Sequence, residues 1–231
     1  NYDASGSTGP GGNADGFACK LNPGKGNVFR GCRAWENSDD GWDLYMANFQ
    51  VIIENCWTWH NGDPNSYGYS GSDWGGNGNG FKVGGGDEKK TNEFYSFGPH
   101  LLKNCIAFDM KYGKGTSHKA FDRNNNKTGI TLTNCLAFNS ITGFSFSEAP
   151  LDGTMHKLTN CAAFGCNTAR SLKGAQETNT DWTTVSAADF QSLDLELAKE
   201  MRQADGSLPD NGFGKLKPDS PLVGKGFQFR L

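Results

Sequence analysis

The sequence predicts an all-β chain wound as a parallel β-helix, a solenoid covered at its C-terminal end by a helix and loops. Three observations predict it. A short motif recurs with a period near 25 residues. Turn-forming residues are abundant, with Gly at 32 and Asn at 22 of 231 positions. Aromatic residues make up 12% of the chain, too many for a disordered one.

The motif reads apolar, any residue, Asn, Cys, two residues, aromatic. It occurs at 53–59 (Ile53, Asn55, Cys56, Trp59), 102–108 (Leu102, Asn104, Cys105, Phe108), 132–138 (Leu132, Asn134, Cys135, Phe138) and 158–164 (Leu158, Asn160, Cys161, Phe164). A fifth copy, 29–35, has Gly31 in place of Asn. The aligned cysteines are 24, 49, 30 and 26 residues apart, and 49 reads as two repeats with a weaker unit, Gly80-Phe81-Lys82-Val83, between. Propeller blades are longer, about 40 residues or more, and a leucine-rich framework is absent. Winding the chain once per repeat stacks equivalent residues about 4.8 Å apart. Cys then forms an inner column, Asn a corner column bonded through its amides, and Phe/Trp an aromatic column.

Seven cysteines spread through a chain of this size do not look like a disulfide framework, and most read as buried free thiols. Residues 1–177 form the β-helix in this reading, and 178–231 its cap. Within the cap, Phe190, Leu193, Leu197 and Met201 have helical spacing, and Ser186 with Asp189 resembles a capping box. No N-terminal cap is visible, so an upstream segment or a partner is expected to supply one.

Composition narrows the function. The net charge is −3 and no basic stripe is present, which disfavours a nucleic-acid partner. No apolar run approaches the roughly 20 residues of a membrane span. No leader pattern opens the chain, which leaves a mature secreted chain or a cytosolic one, and its start in mid-pattern hints at a segment removed upstream. The four histidines are scattered without metal-ligand spacing.

The densest chemistry is Asn37-Ser38-Asp39-Asp40-Gly41-Trp42-Asp43. Asp15 precedes Asp39 by 24 residues, one winding of the solenoid. Four carboxylates brought together repel one another unless a hard cation with oxygen ligands, most plausibly Ca²⁺, lies among them. Asp-Gly turns on a solvated surface explain one or two of these residues, not four in register. A catalytic acid/base pair of a glycoside hydrolase is the other use of clustered Asp.

Three segments carry a family resemblance: Asn13-Ala14-Asp15-Gly16-Phe17, the stretch 33–43, and Gly78-Asn79-Gly80-Phe81-Lys82-Val83-Gly84-Gly85. Together they resemble polysaccharide lyase family 9, which contains pectate and rhamnogalacturonan lyases on a right-handed parallel β-helix. The resemblance implies Ca²⁺ held by Asp15, Asp39, Asp40 and Asp43, and Lys82 as the base. It implies an acidic pectic polysaccharide as partner and β-elimination as the reaction. A secreted, periplasmic or cell-surface monomer goes with it. By itself Lys82 reads equally as a surface lysine. Arg123 and Asn125 are candidate substrate-binding residues, with a turn ladder the competing reading of the Asn run. Trp57, Trp59 and Trp74 are candidates for stacking on sugars, although Trp57 and Trp59 fall in the repeat. A non-catalytic, calcium-mediated pectin-binding module is the alternative in a different class.

Overall fold

The computed structural model describes residues 1–5, 8–86, 98–115 and 118–230. Its strands form three parallel sheets, each strand hydrogen-bonded to its equivalent one winding away. The first sheet holds Phe17–Ala18, Trp42–Asp43, Phe81–Lys82, Lys119–Asp122, Thr142–Phe146 and Thr168–Leu172. The second holds Val28–Arg30, Ile52–Glu54, Leu101–Lys103, Thr131–Thr133, His156–Thr159 and Ala175–Thr178. The third holds Arg33–Trp35, Trp57–Trp59, Ile106–Phe108, Leu136–Phe138 and Ala162–Phe164. This is the parallel β-helix that the repeat predicts.

Each predicted column is present. Cys56, Cys105, Cys135 and Cys161 are fully buried, and all seven cysteines are free. Gly31, Asn55, Asn104, Asn134 and Asn160 hold the corner between the second and third sheets at φ of 63°, 52°, 53°, 52° and 52°. Asn tolerates this left-handed backbone better than most residues. Asn104 Nδ2 donates to Asn55 Oδ1 at 3.0 Å. Trp35, Trp59, Phe108, Phe138 and Phe164 stack with centroids 4.7–5.4 Å apart, near the strand spacing. A second stack in the first sheet (Phe17, Trp42, Phe81, Phe121, Phe144) fills the interior at 4.7–5.1 Å.

The Cys56–Cys105 interval is one winding, not two. Ile53 pairs directly with Leu102 and Trp57 with Ile106. Among the described residues the surplus includes a long excursion over 60–80, before Phe81–Lys82, which belongs to this same winding. In consequence Lys82 stands directly over Asp43.

The tail also differs from its expectation. Its longest helix is Leu195–Lys199, preceded by a single turn at Ala187–Asp189. The Ser186–Asp189 capping box is formed, but it starts only that turn. Phe190 leaves the helical path to bridge Leu216 and to face Phe164 and Phe229, while Met201 is 89% exposed. Rather than covering only the last winding, the tail runs back along the third sheet. Phe213 lies against Trp57 and Phe108, Arg230 stands over Trp57, and Arg33 donates to the Ala198 and Glu200 carbonyls. Burying that aromatic face outweighs the weak propensity of a short helix.

Among the described residues no helix is long and apolar enough to cross a membrane.

Candidate functional site

Asp15 precedes the first strand of the first sheet, Asp40 precedes the second, and Asp43 is the last residue of that second strand. Pairing of Phe17 with Trp42 sets the two levels in register. It also seats Asp15 under Asp40, whose backbone N–H donates to Asp15 Oδ1 at 3.2 Å. Asp40 Oδ1 accepts from Asn79 N at 2.8 Å and from its Nδ2 at 2.9 Å. Asp43 Oδ1 accepts from Tyr45 N at 2.9 Å. One oxygen of each carboxylate is thus fixed by the fold, and the other is free to converge. Ligand oxygens of Asp15, Asp40 and Asp43 all lie within 4.8 Å of one another.

Two ammonium groups stand at the converging oxygens. Lys82 Nζ is 2.9 Å from Asp40 Oδ2 and 3.1 Å from Asp43 Oδ2. Lys20 Nζ is 2.6 Å from Asp15 Oδ2 and 2.9 Å from Asp43 Oδ2. Asp15 Oδ2 and Asp40 Oδ2 are buried and, despite these close ion pairs, neither has an aligned hydrogen bond. An all-oxygen set of buried carboxylates with two such atoms fits a hard cation.

Burial, then repulsion by Asp40 and Asp43, pushes the Asp15 carboxyl up to about 6. Burial pushes Asp40 up to about 7, against the opposing pull of Lys82. Burial alone would lower Lys82, but the charges of Asp40, Asp43 and Asp39 outweigh it and hold its ammonium above the ordinary lysine range.

The structure does not bring Asp39 into the converging group. Its Oδ2 accepts from Asn13 N at 2.7 Å and its Oδ1 from Asn77 N at 2.6 Å. It ties together the two loops that border Asp15 and Asn79. Nor does it bring Arg123 to the surface. That guanidinium is buried, donates to Asn126 O at 3.0 Å and pairs with Glu148 at 2.5 Å. Asn125 is exposed at a turn, with φ of 61°. Asn124 and Asn126 bond to carbonyls of the winding below, so the Asn run builds a turn. Trp57, Trp59 and Trp74 are 1%, 0% and 7% exposed, which corrects their reading as sugar platforms. The tail covers the first of these, and Trp74 lies over Gly11 and donates to Gly62 O.

Beside Lys82 the sheet opens into a polar depression of about 320 Å³. Tyr45, Lys114, Lys119 and Asp122 contribute to its wall. Sequence reasoning missed these residues, and Lys20 as well. Asp122 was findable from register, since it stands directly over Lys82. Lys20 leaves no periodic signal. A larger cavity of about 440 Å³ lies elsewhere, between the Asn column and the tail; Trp57 lines it, but none of the predicted catalytic, metal-ligating or substrate-binding residues does.

The fold and the buried carboxylate group define a right-handed β-helix with a cation-competent site on its first sheet. The chain belongs to the family described as Pel9A-like, right handed beta helix region, whose model matches residues 1–167. It is 37% identical over 216 residues to pectate lyase L of Dickeya chrysanthemi, covering 92% of this chain and 46% of that protein. To pectate lyase PEL9 of Emericella nidulans it is 33% identical over 237 residues, covering 91% and 52%. Among solved structures, pectate lyase Pel9A superposes with a TM-score of 0.80 at 36% identity, covering 96% of this chain and 51% of that one. A rhamnogalacturonan lyase superposes at 0.73 and 30% identity, covering 96% and 56%. The chain spans about half the length of the curated relatives it matches.

Proposed function

We propose that this chain carries the active site of a calcium-dependent polysaccharide lyase. The lyase cleaves a galacturonate-containing pectic backbone by β-elimination. The observation that carries the reading is the meeting of Lys82 with Asp40 and Asp43 beside Asp15. The names of the similar proteins support the same class.

Asp15, Asp40 and Asp43 would hold the cation. Each Asp39 oxygen accepts one backbone N–H, from Asn13 or Asn77, and would keep a further lone pair to offer the cation. Bound there, calcium supplies fixed positive charge that neutralises the carboxylates and the acid group of the sugar. Lys82 is then freed from the charges that keep it protonated, and its neutral amine takes the C5 proton. The electron pair of the C5–H bond becomes the C4=C5 double bond. The C4–O4 bond breaks, and O4 leaves with the departing chain and takes a proton from solvent. Asn79 holds Asp40 in place throughout, and Tyr45 N does the same for Asp43. All these groups come from one chain, so a monomer suffices. Because the polymer is extracellular, the protein would work outside the cytoplasm.

Product analysis on homogalacturonan and rhamnogalacturonan I, with and without calcium, tests the reading. An ultraviolet-absorbing unsaturated product that disappears with chelator is expected. Saturated reducing ends would indicate a hydrolase. Tight binding without cleavage would indicate a binding module.

A further inference from the structure

The depression beside Lys82 has a chemical bias. Lys82, Lys114, Lys119 and one carboxylate, Asp122, line it, Lys82 being turned to Asp40 and Asp43, and among the described residues no aliphatic residue lines it. Of the two cations that the proposed reaction does not use, Lys119 is the better fixed. Its Nζ lies 2.9 Å from Asp122 Oδ2. Its backbone N–H donates to Asn79 Oδ1 at 3.1 Å, and Asn79 Nδ2 donates in turn to Asp40 Oδ1 at 2.9 Å. One side-chain amide therefore couples the position of Lys119 to the carboxylate group itself.

Asp122 sits one strand above Lys82, a step of about 4.8 Å. That step is close to the length of one sugar unit in a polymer running across the strands. The Asp122 side chain is only 5% exposed, so its charge orients Lys119 rather than facing a ligand. The Lys119 side chain is 26% exposed, and an ammonium with one partner keeps two donors for another. A neutral sugar with a methyl at C5 would find little apolar surface here beyond the Tyr45 ring. A sugar acid would find an ammonium already aimed.

We infer that Lys119 is a specificity residue that pairs with the carboxylate of the uronate next to the reacting one. The site then takes two consecutive unesterified galacturonates in preference to one flanked by a neutral or methyl-esterified sugar. The identity of the polymer rests on the lyase reading above. The charge preference rests on the depression alone.

Calorimetric titration of proteins wild type at position 119, Lys119→Met and Lys119→Arg, all made in the Lys82→Met background so that the sugar is not cleaved, with trigalacturonate and with its methyl ester, in calcium, tests this. The protein that keeps Lys119 should bind the acid at least about tenfold more tightly than the ester, the scale of one charge-assisted contact. Lys119→Met should lower affinity for the acid about tenfold, leave the ester within about twofold, and be rescued by Lys119→Arg. Should Lys119→Met fail to give the melting curve of the protein that keeps Lys119, Lys119→Gln replaces it. Equal losses on acid and ester, no loss on either, or a protein that keeps Lys119 and binds neither trisaccharide would overturn the inference. Absence of unsaturated product from wild type would defeat the lyase reading alone, because the binding ratio is read without turnover.

Discussion

Lys82 Nζ lies 2.9 Å from Asp40 Oδ2, although the two residues are 42 positions apart in the chain. The contact exists because Trp42 pairs with Phe81 and Asp43 with Lys82 across adjacent windings. If the proposed function holds, Lys82→Met should reduce turnover of the pectic substrate by about 10²–10⁴-fold, the usual size of a general-base contribution. Without metal the same variant should melt lower than wild type, since it strands buried carboxylates without their counter-charge. Kinetics and thermal melts with and without calcium read both effects.

The cluster should give the metal-free protein an unusual pH profile. Asp15 and Asp40 are raised to about 6 and about 7, whereas an unfolded carboxyl titrates near about 4. The folded state thus binds more protons than the unfolded state across that interval. The contribution of these two groups to metal-free stability is therefore greatest at the acid end and falls as pH rises from about 4 to about 7. Cation affinity should rise over the same interval, because binding requires ionised carboxylates. Asp40→Asn should flatten both trends, as followed by chelated and calcium-loaded melts from pH 4 to 8.

His60 acts in the opposite part of the scale. Its hydrogen bond to Asp109 (2.8 Å) outweighs burial and, together with the charge of Asp109 and the contact to Asp63 (3.2 Å), raises its pKa above 6.5. The stabilisation it brings is complete below about 6.5 and is lost as pH rises through its folded value. The melting-temperature gap between wild type and His60→Gln should close at alkaline pH.

Asn104 combines a left-handed backbone (φ of 53°) with a buried amide bonded to Asn55. Asn104→Ala should cost about 1–3 kcal/mol in chemical denaturation, adding backbone strain to a lost hydrogen bond. Asn104→Gly keeps the backbone and should cost less.

Among the thiols, Cys32 should react first with a small disulfide reagent at neutral pH. Its hydrogen bond with Cys56 lowers it to about 6, and it is only half-buried. Burial pushes Cys105 and Cys135 far up, so they should stay unmodified until the protein unfolds. Mass spectrometry of peptides after brief labelling reads the order.

The carboxylate site was legible where it follows the winding and obscure where it does not. Asp15, Asp40 and Asp43 could be placed from spacing, because one winding of about 25 residues superposes them. Asp39 shares that spacing, yet two backbone N–H groups from flanking loops claim its oxygens. Lys20 and Lys119 carry no repeat signal, and long flexible side chains reach their partners only once the backbone is set. Arg123 looked like a surface cation until the turn beneath it closed on its guanidinium.

By itself the sequence determined the winding and its columns. A repeated Asn-Cys pair with an aromatic three residues later has one economical arrangement, stacking like on like, and that depends only on local backbone preference and burial. Tertiary structure alone decided that the 49-residue interval is a single winding, because loop length is nearly invisible to strand pairing. It also decided that the tail covers the third sheet instead of extending a helix, and which oxygens of the aspartates point inward. Those outcomes are set by competition among distant groups for the same surface or the same donor, and no local pattern records who wins.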